Sequence, residues 1–394
     1  MRATTRQLWA PEKKVRRGSL EFAEFFAGIG LVRMGLEAAG WSVAFANDID
    51  PVKRDMYDAH FGDAEDHFHL GDIHKIAAAD MPQVSLATAS FPCTDLSIAG
   101  GRAGIRAGES SAFWGFVDIL RKLDARRPPV ILLENVVGFL SSNGGKDFIA
   151  AMSALNELGY SVDPFLLDAK WFVPQSRARM FVVATTAAPV PVVGLLPTRT
   201  RPSALVRAIL DSPQVQWRLS DHPEPPSASA KSLPDILEDL PDFAPEWWSR
   251  ERAEYLFRQL SPKHLAIANA MMKGKTWNYG TVFRRVRMQP NGKKRSMAEL
   301  RTDGIAGCLR TPKGGSGRQI LFRAGKGRYD VRLLTPRECA RLMGADEFQV
   351  SGSLNDALFG FGDAVCVPAI TWIAENVIPI KAGGASNFRA RVAT

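Results

Sequence analysis

Residues 20–30 read LEFAEFFAGIG, an apolar stretch that ends in a glycine-rich turn. This pattern is typical of a buried strand that runs into a tight turn. The apolar spacing from Leu31 to Ala39 then predicts a helix that stops at Gly40. A second strand is predicted over 42–46, and it ends at Asn47-Asp48. This order of strand, turn, helix and strand predicts the first unit of an α/β sheet.

The alternation continues as far as Thr185. Apolar runs at 84–89, 130–133 and 180–185 predict further strands, and helical patterns cover 112–123 and 148–158. Strands that alternate with helices predict a parallel sheet with helices on both faces.

Beyond Thr185 the composition and the hydrophobic periodicity of the sequence change. Residues 185–202 are rich in proline and are typical of a linker, and the periodicity is weak from there to about residue 335. A helix is predicted to begin at Pro336 with Thr335 as its N-cap, and a final helix is predicted over 364–378.

Composition limits the class of protein. The 394 residues are 46% hydrophobic and 23% charged, which is typical of a globular chain in water. We find no apolar run that approaches the roughly 20 residues of a membrane span, and the basic N-terminus lacks the apolar core of a secretory signal. None of the four cysteines forms a CxxC pair, so we expect neither a zinc site nor a thioredoxin-type redox motif, and a cytoplasmic setting.

The positive charge is concentrated in one segment. Between residues 191 and 335 there are 25 basic and 13 acidic residues, and between 273 and 332 there are 16 basic and 3 acidic ones. Charge of one sign at this density favours a polyanionic partner such as nucleic acid. Non-specific attraction to polyanions is the alternative that charge alone leaves open.

Three elements at successive predicted strand ends favour an adenosine-type ligand. Gly28 and Gly30 allow a ligand to approach the backbone closely, and Asp48 follows Gly28 by twenty residues. An acidic residue at that place can hold the two hydroxyls of a ribose. Asp72 follows a third strand-like stretch and could accept a hydrogen bond from an adenine amino group. Each residue alone would be explained equally well by a turn or a cap.

Two further strand ends carry reactive side chains. Residues 90–101, SFPCTDLSIAGG, place Cys93 after Phe91-Pro92 and before a glycine loop, although a lone cysteine is more often a core residue. Glu134 ends the run PPVILL, where a carboxylate is costly unless it is used or paired. Arg177 and Arg179 would lie on one side of an extended segment, where they could bind a ligand or pair with Glu134.

Eight motifs in order resemble the bacterial DNA (cytosine-5) methyltransferase family of the restriction-modification type. They span nearly the whole chain apart from the basic segment and the two ends. The motifs are FFAGIG (25–30), NDID (47–50), GDI (71–73), FPC (91–93), ENV (134–136), QSRAR (175–179), RECARLMG (337–344) and GDAVCVP (362–368).

The resemblance implies a Rossmann-like, S-adenosylmethionine-dependent methyltransferase sheet with a smaller target-recognition domain. We place the catalytic, cofactor-binding domain at 1–189 plus 356–394 and the DNA-binding domain at 190–355. By resemblance, Cys93 adds to carbon 6 of a flipped cytosine, Glu134 contacts N3 and the exocyclic amine, and Arg179 holds O2 with Arg177 beside it. The residues expected at the S-adenosylmethionine pocket are Phe26, Ala27, Gly28, Gly30, Asp48, Ile49, Asp72, Ile73, Pro92, Phe113 and Asp363.

The sequence departs from the family pattern at three positions. Thr94 stands where the family usually has glutamine after the cysteine, which leaves the loop's contacts to DNA open. Asp363 replaces the common asparagine of the last motif, and it either binds the cofactor amino group or caps the final helix. Asp48 replaces the commoner glutamate with a shorter carboxylate.

Residues 307–322 (GCLRTPKGGSGRQILF) are typical of a loop that enters a DNA groove, since arginine reads guanine and glutamine reads adenine. Phosphate contact is the alternative for each side chain. The DNA-binding residues predicted are Ser97, Arg310, Lys313, Arg318 and Gln319.

We expect duplex DNA as partner, no membrane and no metal, a monomer on DNA, and a cognate restriction nuclease or defence system. Methylation of tRNA on the same core is a rival hypothesis, although the long basic segment favours duplex DNA. A catalytically inactive DNA-binding regulator is a second rival, and it would be expected to have lost Cys93, Glu134 or Arg179.

Overall fold

The structure is a computed structural model, and it describes residues 20–92, 112–288, 292–311 and 318–380. Cys93, Ser97 and Lys313 lie outside the described residues.

A seven-stranded sheet forms the centre of the larger part of the molecule. Its strands are β1 (Glu21–Phe25), β2 (Ser42–Asp48), β3 (Phe68–Leu70), β4 (Leu86–Ala89), β5 (Val130–Val136), β6 (Ser161–Asp168) and β7 (Ala178–Thr185). They are arranged in the order β3-β2-β1-β4-β5-β7-β6. Neighbours from β3 to β5 run parallel, so the carboxyl ends of β1, β2, β4 and β5 lie at one edge. This confirms the predicted α/β fold class.

The prediction of a parallel sheet is wrong for β6 and β7. Strand β7 runs antiparallel to both β5 and β6. Strand β6 was not predicted from the sequence, and Pro164 lies within it. Because β6 is an edge strand of the sheet, the missing N–H of proline is tolerated there. The reversal matters for the site, because it brings the start of β7 to the carboxyl end of β5.

Twelve α-helices are described. They are α1 (Leu31–Glu37), α2 (Pro51–Phe61), α3 (Ala64–His67), α4 (Ala112–Leu123), α5 (Lys146–Glu157), α6 (Ser203–Leu210), α7 (Leu233–Ile236), α8 (Arg250–Phe257), α9 (Pro262–Met272), α10 (Pro336–Leu342), α11 (Leu354–Asp363) and α12 (Val367–Asn376). Thr335 caps α10 as predicted, since its side chain accepts the N–H of Glu338 and Pro336 occupies the first turn.

Helices cover both faces of the large sheet. On one face, Phe116 and Leu120 of α4 and Phe148 of α5 are fully buried among strand residues. On the other face, Leu36 of α1 and Ile370 of α12 are fully buried. Burial of one such side chain stabilises the fold by about 1.5–3 kcal/mol, so these layers hold the strand ends in place.

The basic segment contains a second, four-stranded sheet that weak periodicity concealed. Its strands are β8 (Asn278–Met288), β9 (Lys294–Arg301), β10 (Ile320–Gly325) and β11 (Arg328–Leu333), in the antiparallel order β11-β10-β8-β9. Helices α8 and α9 pack on one face, where Val282, Phe322 and Val331 are buried.

The predicted boundary between the two domains stays a prediction. Helix α6 lies inside the range assigned to the DNA-binding domain, yet Leu205 and Ile209 pack into the core of the large sheet. Trp217 is buried in the same cluster and bridges to Val162 of β6. The stretch 203–217 therefore packs with the catalytic sheet.

One stretch of the described residues, Leu354–Asn376, is long and apolar enough to cross a membrane, contrary to the expectation from the sequence. It consists of α11 and α12, which are separate helices joined at 364–366. In the fold 61% of its most apolar window is buried, with Phe361 and Ile373 fully so. Its apolar character is that of two core helices.

Candidate active site

The turn after β1 has the backbone geometry that close approach of a ligand requires. Gly28 and Gly30 both adopt positive φ angles, 57° and 83°. A Cβ at Gly30 would come within 2.4 Å of the Phe61 ring, so only glycine fits there. Phe26 also has a positive φ, 59°, which residues other than glycine rarely adopt. Such strain is concentrated at functional sites, and here it lies at the edge where the strand ends meet.

Asp48 ends β2 directly beside this turn. Its Oδ2 accepts the N–H of Gly28 at 2.8 Å, and its Oδ1 accepts the N–H of Asp50 at 2.9 Å. Each carboxylate oxygen still has a lone pair, because an ionised carboxylate can accept about four hydrogen bonds. The carboxylate is thus fixed by the backbone and retains the capacity to accept two ribose hydroxyls.

Exposed apolar side chains flank Asp48. Ile49 is 67% exposed, and Val52 and Leu70 are also exposed. Large exposed apolar groups next to a fixed carboxylate suit a ligand with a planar, apolar face and a polar sugar. The residues present therefore fit an adenosine-bearing ligand.

Other predicted cofactor residues occupy different surroundings. Ile73 and Phe113 are 4% and 0% exposed and belong to the core that supports the site. The carboxylate of Asp72 accepts the N–H of His74, and Asp363 pairs with Lys53 at 2.8 Å. Asp363 ends α11, and its partner Lys53 also feels the charge of Asp48.

A second carboxylate lies buried beneath the same turn. Glu24 of β1 is 1% exposed, and neither of its oxygens has a hydrogen-bond partner among the described residues. Burial raises the pKa of Glu24 to about 8, although Arg33 offsets part of this effect. The folded protein therefore holds a proton on Glu24 that the unfolded chain releases near neutral pH.

We expect the free energy of unfolding to fall between pH 5 and pH 8 because of Glu24. The folded state binds one more proton than the unfolded state in this window, so a rise in pH favours unfolding. Glu24→Gln removes this effect. The free energy of unfolding of the variant minus that of the unmodified protein should therefore increase by about 3 kcal/mol from pH 5 to pH 8. Urea unfolding at each pH measures the difference. A constant difference between the two proteins would contradict the buried, protonated Glu24.

The loop that precedes Cys93 is anchored next to β5. Asn135, which is buried, donates through Nδ2 to the carbonyl oxygen of Phe91 at 3.2 Å. The Phe91 ring packs against Phe113 and Phe139, with ring centroids 5.0 and 5.6 Å apart. The residues immediately before Cys93 are thereby fixed one position along the strand from Glu134.

Glu134 and Arg179 form a buried ion pair at this edge. Arg179 Nε lies 3.0 Å from Glu134 Oε1, and the two side chains are 15% and 10% exposed. Arg179 is opposite Val136 in the antiparallel register, so it meets Glu134 diagonally. Burial raises the pKa of Glu134, while Arg179, Arg177 and a hydrogen bond with Ser90 act in the opposite direction. A carboxyl group in these surroundings is suited to hold or give a proton.

Arg177 has a different environment from the one predicted for a residue beside the cytosine. It is 2% exposed, and its guanidinium donates to three main-chain carbonyl oxygens. These are Leu309 O at 2.7 Å, Gly362 O at 2.9 Å and Ala364 O at 2.6 Å. Because the backbone occupies these donors, Arg177 acts on the site by holding segments together.

The predicted DNA-reading residues differ in exposure. Arg310 is exposed, and Arg318 is partly exposed and donates to Asn355 Oδ1 at 2.7 Å. Gln319 is 6% exposed and donates to the carbonyl oxygen of Cys308 at 3.3 Å. This burial is unfavourable for base reading, because the side chain packs against Gly307.

The partners of several site residues had no clear signal in the sequence. Gln175 and Asn135 lie within the motifs QSRAR and ENV, and Lys53 follows NDID, but their partners are distant along the chain. Arg252 of α8 interacts electrostatically with Arg284 and Arg318, which gathers three cations from three separate elements. Of these, Arg318 was predicted from the loop 307–322, whereas Arg252 and Arg284 were indicated only by the excess of basic residues between 191 and 335.

Comparison with known proteins bears on this arrangement. A match to the family described as C-5 cytosine-specific DNA methylase covers residues 20–379. The type II methyltransferase M.HhaI of Haemophilus parahaemolyticus is 28% identical over 377 residues, 94% of this chain and 96% of that protein. The DNA-cytosine methyltransferase of Escherichia coli (strain K12) is 28% identical over 404 residues, 92% of this chain and 78% of that protein. The solved S. pombe Dnmt2 methyltransferase is similar in fold, with a TM-score of 0.57 and 18% identity over 90% of this chain and 96% of that chain.

Proposed function

The chain belongs to the C-5 cytosine-specific DNA methylase family, and on this premise we propose the reaction that it catalyses. It transfers a methyl group from S-adenosylmethionine to carbon 5 of a cytosine that is flipped out of a specific duplex DNA sequence. The reaction proceeds through a covalent bond between Cys93 and carbon 6. The observation that carries the proposal is the buried Glu134–Arg179 pair, 3.0 Å apart, beside the anchored Phe91-Pro92 segment.

The chemistry explains why these groups are needed together. Carbon 5 of cytosine is a poor nucleophile. When the Cys93 thiolate forms a bond to carbon 6, the electron pair of the 5,6 double bond moves to carbon 5. Glu134 supports this shift with a proton at N3, and Arg179 binds O2. S-adenosylmethionine supplies the methyl group. Loss of the carbon 5 proton to a base then restores the double bond and releases the Cys93 thiolate.

A flipped base is the form of substrate that this site can use. The Glu134–Arg179 pair is buried at the sheet edge, where a base stacked within a duplex has no access. The donors and acceptors of the pair match the Watson–Crick edge of a free cytosine. Extrusion of the base costs a few kcal/mol, which the contacts of the protein with the duplex must offset.

Asp48→Ala should weaken S-adenosylmethionine binding by roughly 1.5–3 kcal/mol, the magnitude of a hydrogen bond to a charged group. The carboxylate is held by Gly28 and Asp50 with capacity left for the ribose hydroxyls. Calorimetric titration of the folded variant measures the change. Asp50→Ala serves as a control for the loss of a nearby carboxylate. Unchanged affinity in Asp48→Ala would remove this residue from the cofactor site.

DNA binding by the basic segment should depend steeply on salt. If its lysines and arginines neutralise phosphates, the log of the affinity should fall with the log of salt concentration, with a slope of about −0.9 per phosphate. Arg310→Gln and Arg318→Gln should each cost about 1–3 kcal/mol at the preferred site if they read bases. Arg207→Gln, an exposed arginine of α6, is the matched control. Equal weakening on all sequences would identify Arg310 and Arg318 as phosphate contacts.

The proposed role is host DNA protection within a restriction-modification or related defence system, in the cytoplasm and as a monomer on DNA. The matched type II methyltransferases support this role. The decisive experiment is bisulfite sequencing of plasmid DNA from cells that express the chain, with an inactive Cys93→Ser variant as control. Methylated cytosines within one repeated sequence are expected. Unmethylated plasmid together with methylated tRNA would overturn the proposed substrate.

A further inference from the structure

The segment that carries Arg179 is joined by its main chain to the segment that leads into the predicted DNA-reading residues. Gln175 and Ala306 form a parallel bridge. Ala306 N–H donates to Pro174 O at 2.8 Å, and Ser176 N–H donates to Ala306 O at 3.0 Å. Residues 174–176 and 306 thus form a short piece of β-structure between the large sheet and the smaller, basic part of the chain.

Gln175 reinforces this connection with both ends of its amide. Its side chain is fully buried, its Oε1 accepts the N–H of Leu309 at 2.9 Å, and its Nε2 donates to the carbonyl oxygen of Leu342 at 2.8 Å. A buried amide with both ends paired is well specified, because loss of either partner leaves a desolvated polar group. One side chain therefore ties the end of α10 to the residue just before Arg310.

Arg177 binds the other side of the same residue. Its Nη1 donates to the carbonyl oxygen of Leu309, while its Nη2 binds the carbonyls of Gly362 and Ala364 at the end of α11. Leu309 is 3% exposed and is held at both its N–H and its C=O by two side chains from one strand-like segment. This doubly bound residue is termed the Leu309 clamp.

The clamp lies between the two parts of the site that must act together. Arg310 follows Leu309 directly, and Arg179 follows Arg177 by two residues. Glu134 and Arg310 also act electrostatically on the clamp's immediate neighbours, Arg177 and Cys308. Leu309 thus connects the residue before Arg310 to the segment that leads into Arg179.

We propose that Gln175 and Arg177 are positioning residues that couple sequence recognition at Arg310 to the Glu134–Arg179 pair. Methyl transfer is then fast only when the DNA at Arg310 leaves the Leu309 clamp intact. The proposal rests on the proposed function, and it assigns a role in specificity to Gln175, a fully buried residue.

The test compares Gln175→Leu, which removes both hydrogen bonds, with Gln175→Glu, which keeps an acceptor for the Leu309 N–H. Single-turnover methyl transfer is measured on the preferred site and on a site with one base changed. For Gln175→Leu we expect the ratio of the two rates to fall about tenfold, with DNA affinity little changed. Gln175→Glu should retain the ratio of the unmodified protein.

Gln259→Leu is the matched control, since Gln259 is also a buried glutamine but its side-chain oxygen has no hydrogen-bond partner among the described residues. It controls for loss of stability without loss of the clamp. If Gln175→Leu does not fold, Gln175→Glu and Arg177→Lys provide the comparison. An unchanged ratio of rates in folded Gln175→Leu, or in Arg177→Lys if Gln175→Leu does not fold, with only the active fraction reduced, would overturn the proposal.

Hydrogen exchange gives a readout that does not depend on activity. The Leu309 amide should exchange slowly in the unmodified protein and about tenfold or more faster in Gln175→Leu. DNA should slow exchange over residues 175–179 in the unmodified protein and not in the variant. If no DNA were methylated, the proposed function would fail, while this measurement would still decide whether the clamp transmits binding.

Discussion

Replacement of Cys93 by serine should give a folded protein that binds DNA and transfers no measurable methyl group. A hydroxyl at this position is not ionised near neutral pH, so it cannot add to carbon 6 as a thiolate does. Loss of a nucleophile that acts through a covalent intermediate costs at least about 1000-fold in rate. The rate of methyl transfer under single-turnover conditions measures this loss, and thermal unfolding checks the fold.

A trapping experiment tests the covalent bond itself. A duplex with 5-fluorocytosine at the target position should be methylated once and then remain attached, because fluorine at carbon 5 cannot leave as a proton does. The complex should survive denaturing electrophoresis and require S-adenosylmethionine. Peptide mass analysis should locate the adduct at Cys93. Full methylation by Cys93→Ser would refute the mechanism.

The other cysteines supply the controls, and Cys308 is the most stringent of them. Burial raises the pKa of Cys339, and it raises the pKa of Cys366 to about 12, so neither thiol is a competent nucleophile. Burial acts in the same direction on Cys308, but Arg177, Arg179 and Arg310 outweigh it and lower its pKa. Cys308→Ser should still form the adduct, and an adduct mapped to Cys308 would contradict the assignment of Cys93 as the nucleophile.

The strand ends of the large sheet were predictable from sequence because each carries a local signal. The run into Gly28 and Gly30, the apolar strand before Glu134 and the cap at Thr335 all depend on residues within a few positions of one another. Helix Ala112–Leu123 was predicted with its observed bounds for the same reason. For these elements the observed packing agrees with the secondary structure that propensity and periodicity favoured.

Features that depend on distant partners were not predictable in this way. Strand β6 was not predicted, and the Pro164 within it is compatible with a strand only because β6 lies at the sheet edge. Strand β8 carries arginines on both faces, half-buried Arg284 on one and exposed Arg285 and Arg287 on the other, so its apolar alternation is hidden. Gln175 acquires its importance from Leu309 and Leu342, which are 134 and 167 residues away. No local pattern contains that information.

Arg177 shows the limit of an argument from spacing. Arg177 and Arg179 were expected on one side of an extended segment, where they would bind a ligand or pair with Glu134. In the structure Arg179 forms an ion pair with Glu134. Arg177 instead donates hydrogen bonds to the carbonyls of Leu309, Gly362 and Ala364. The difference arises because residues 174–177 join another part of the chain. The carbonyl oxygens buried at that junction need hydrogen-bond donors of their own, which Arg177 supplies.

Glu134→Gln should lower the rate of methyl transfer by about 100- to 10,000-fold while leaving DNA binding intact. Glutamine has nearly the shape of glutamate and can still accept a hydrogen bond from Arg179. It can also contact the N3 and exocyclic amine of cytosine. It cannot supply a proton, so the variant separates hydrogen bonding from proton donation in a single substitution.

The pH dependence makes the test more specific. Burial raises the pKa of Glu134, although Arg179, Arg177 and Ser90 oppose the rise. As the pH increases through this pKa, the protonated fraction of Glu134 falls. Glu134 therefore contributes a limb of the pH–rate profile on which the rate decreases. Ionisation of Cys93 contributes a limb on which the rate increases. In Glu134→Gln the decreasing limb should be absent, because the amide does not titrate.

Glu24→Gln is the matched control for this substitution. It also neutralises a buried carboxyl group of the large sheet, but the charges that act on Glu24 are those of Arg33, Glu37 and Asp48. At saturating S-adenosylmethionine its methyl-transfer rate should change by no more than a few-fold, and its decreasing limb should persist. If Glu134→Gln instead kept the rate and pH profile of the unmodified protein, proton transfer at N3 would have to come from another group. The buried pair with Arg179 would then serve only to orient the base.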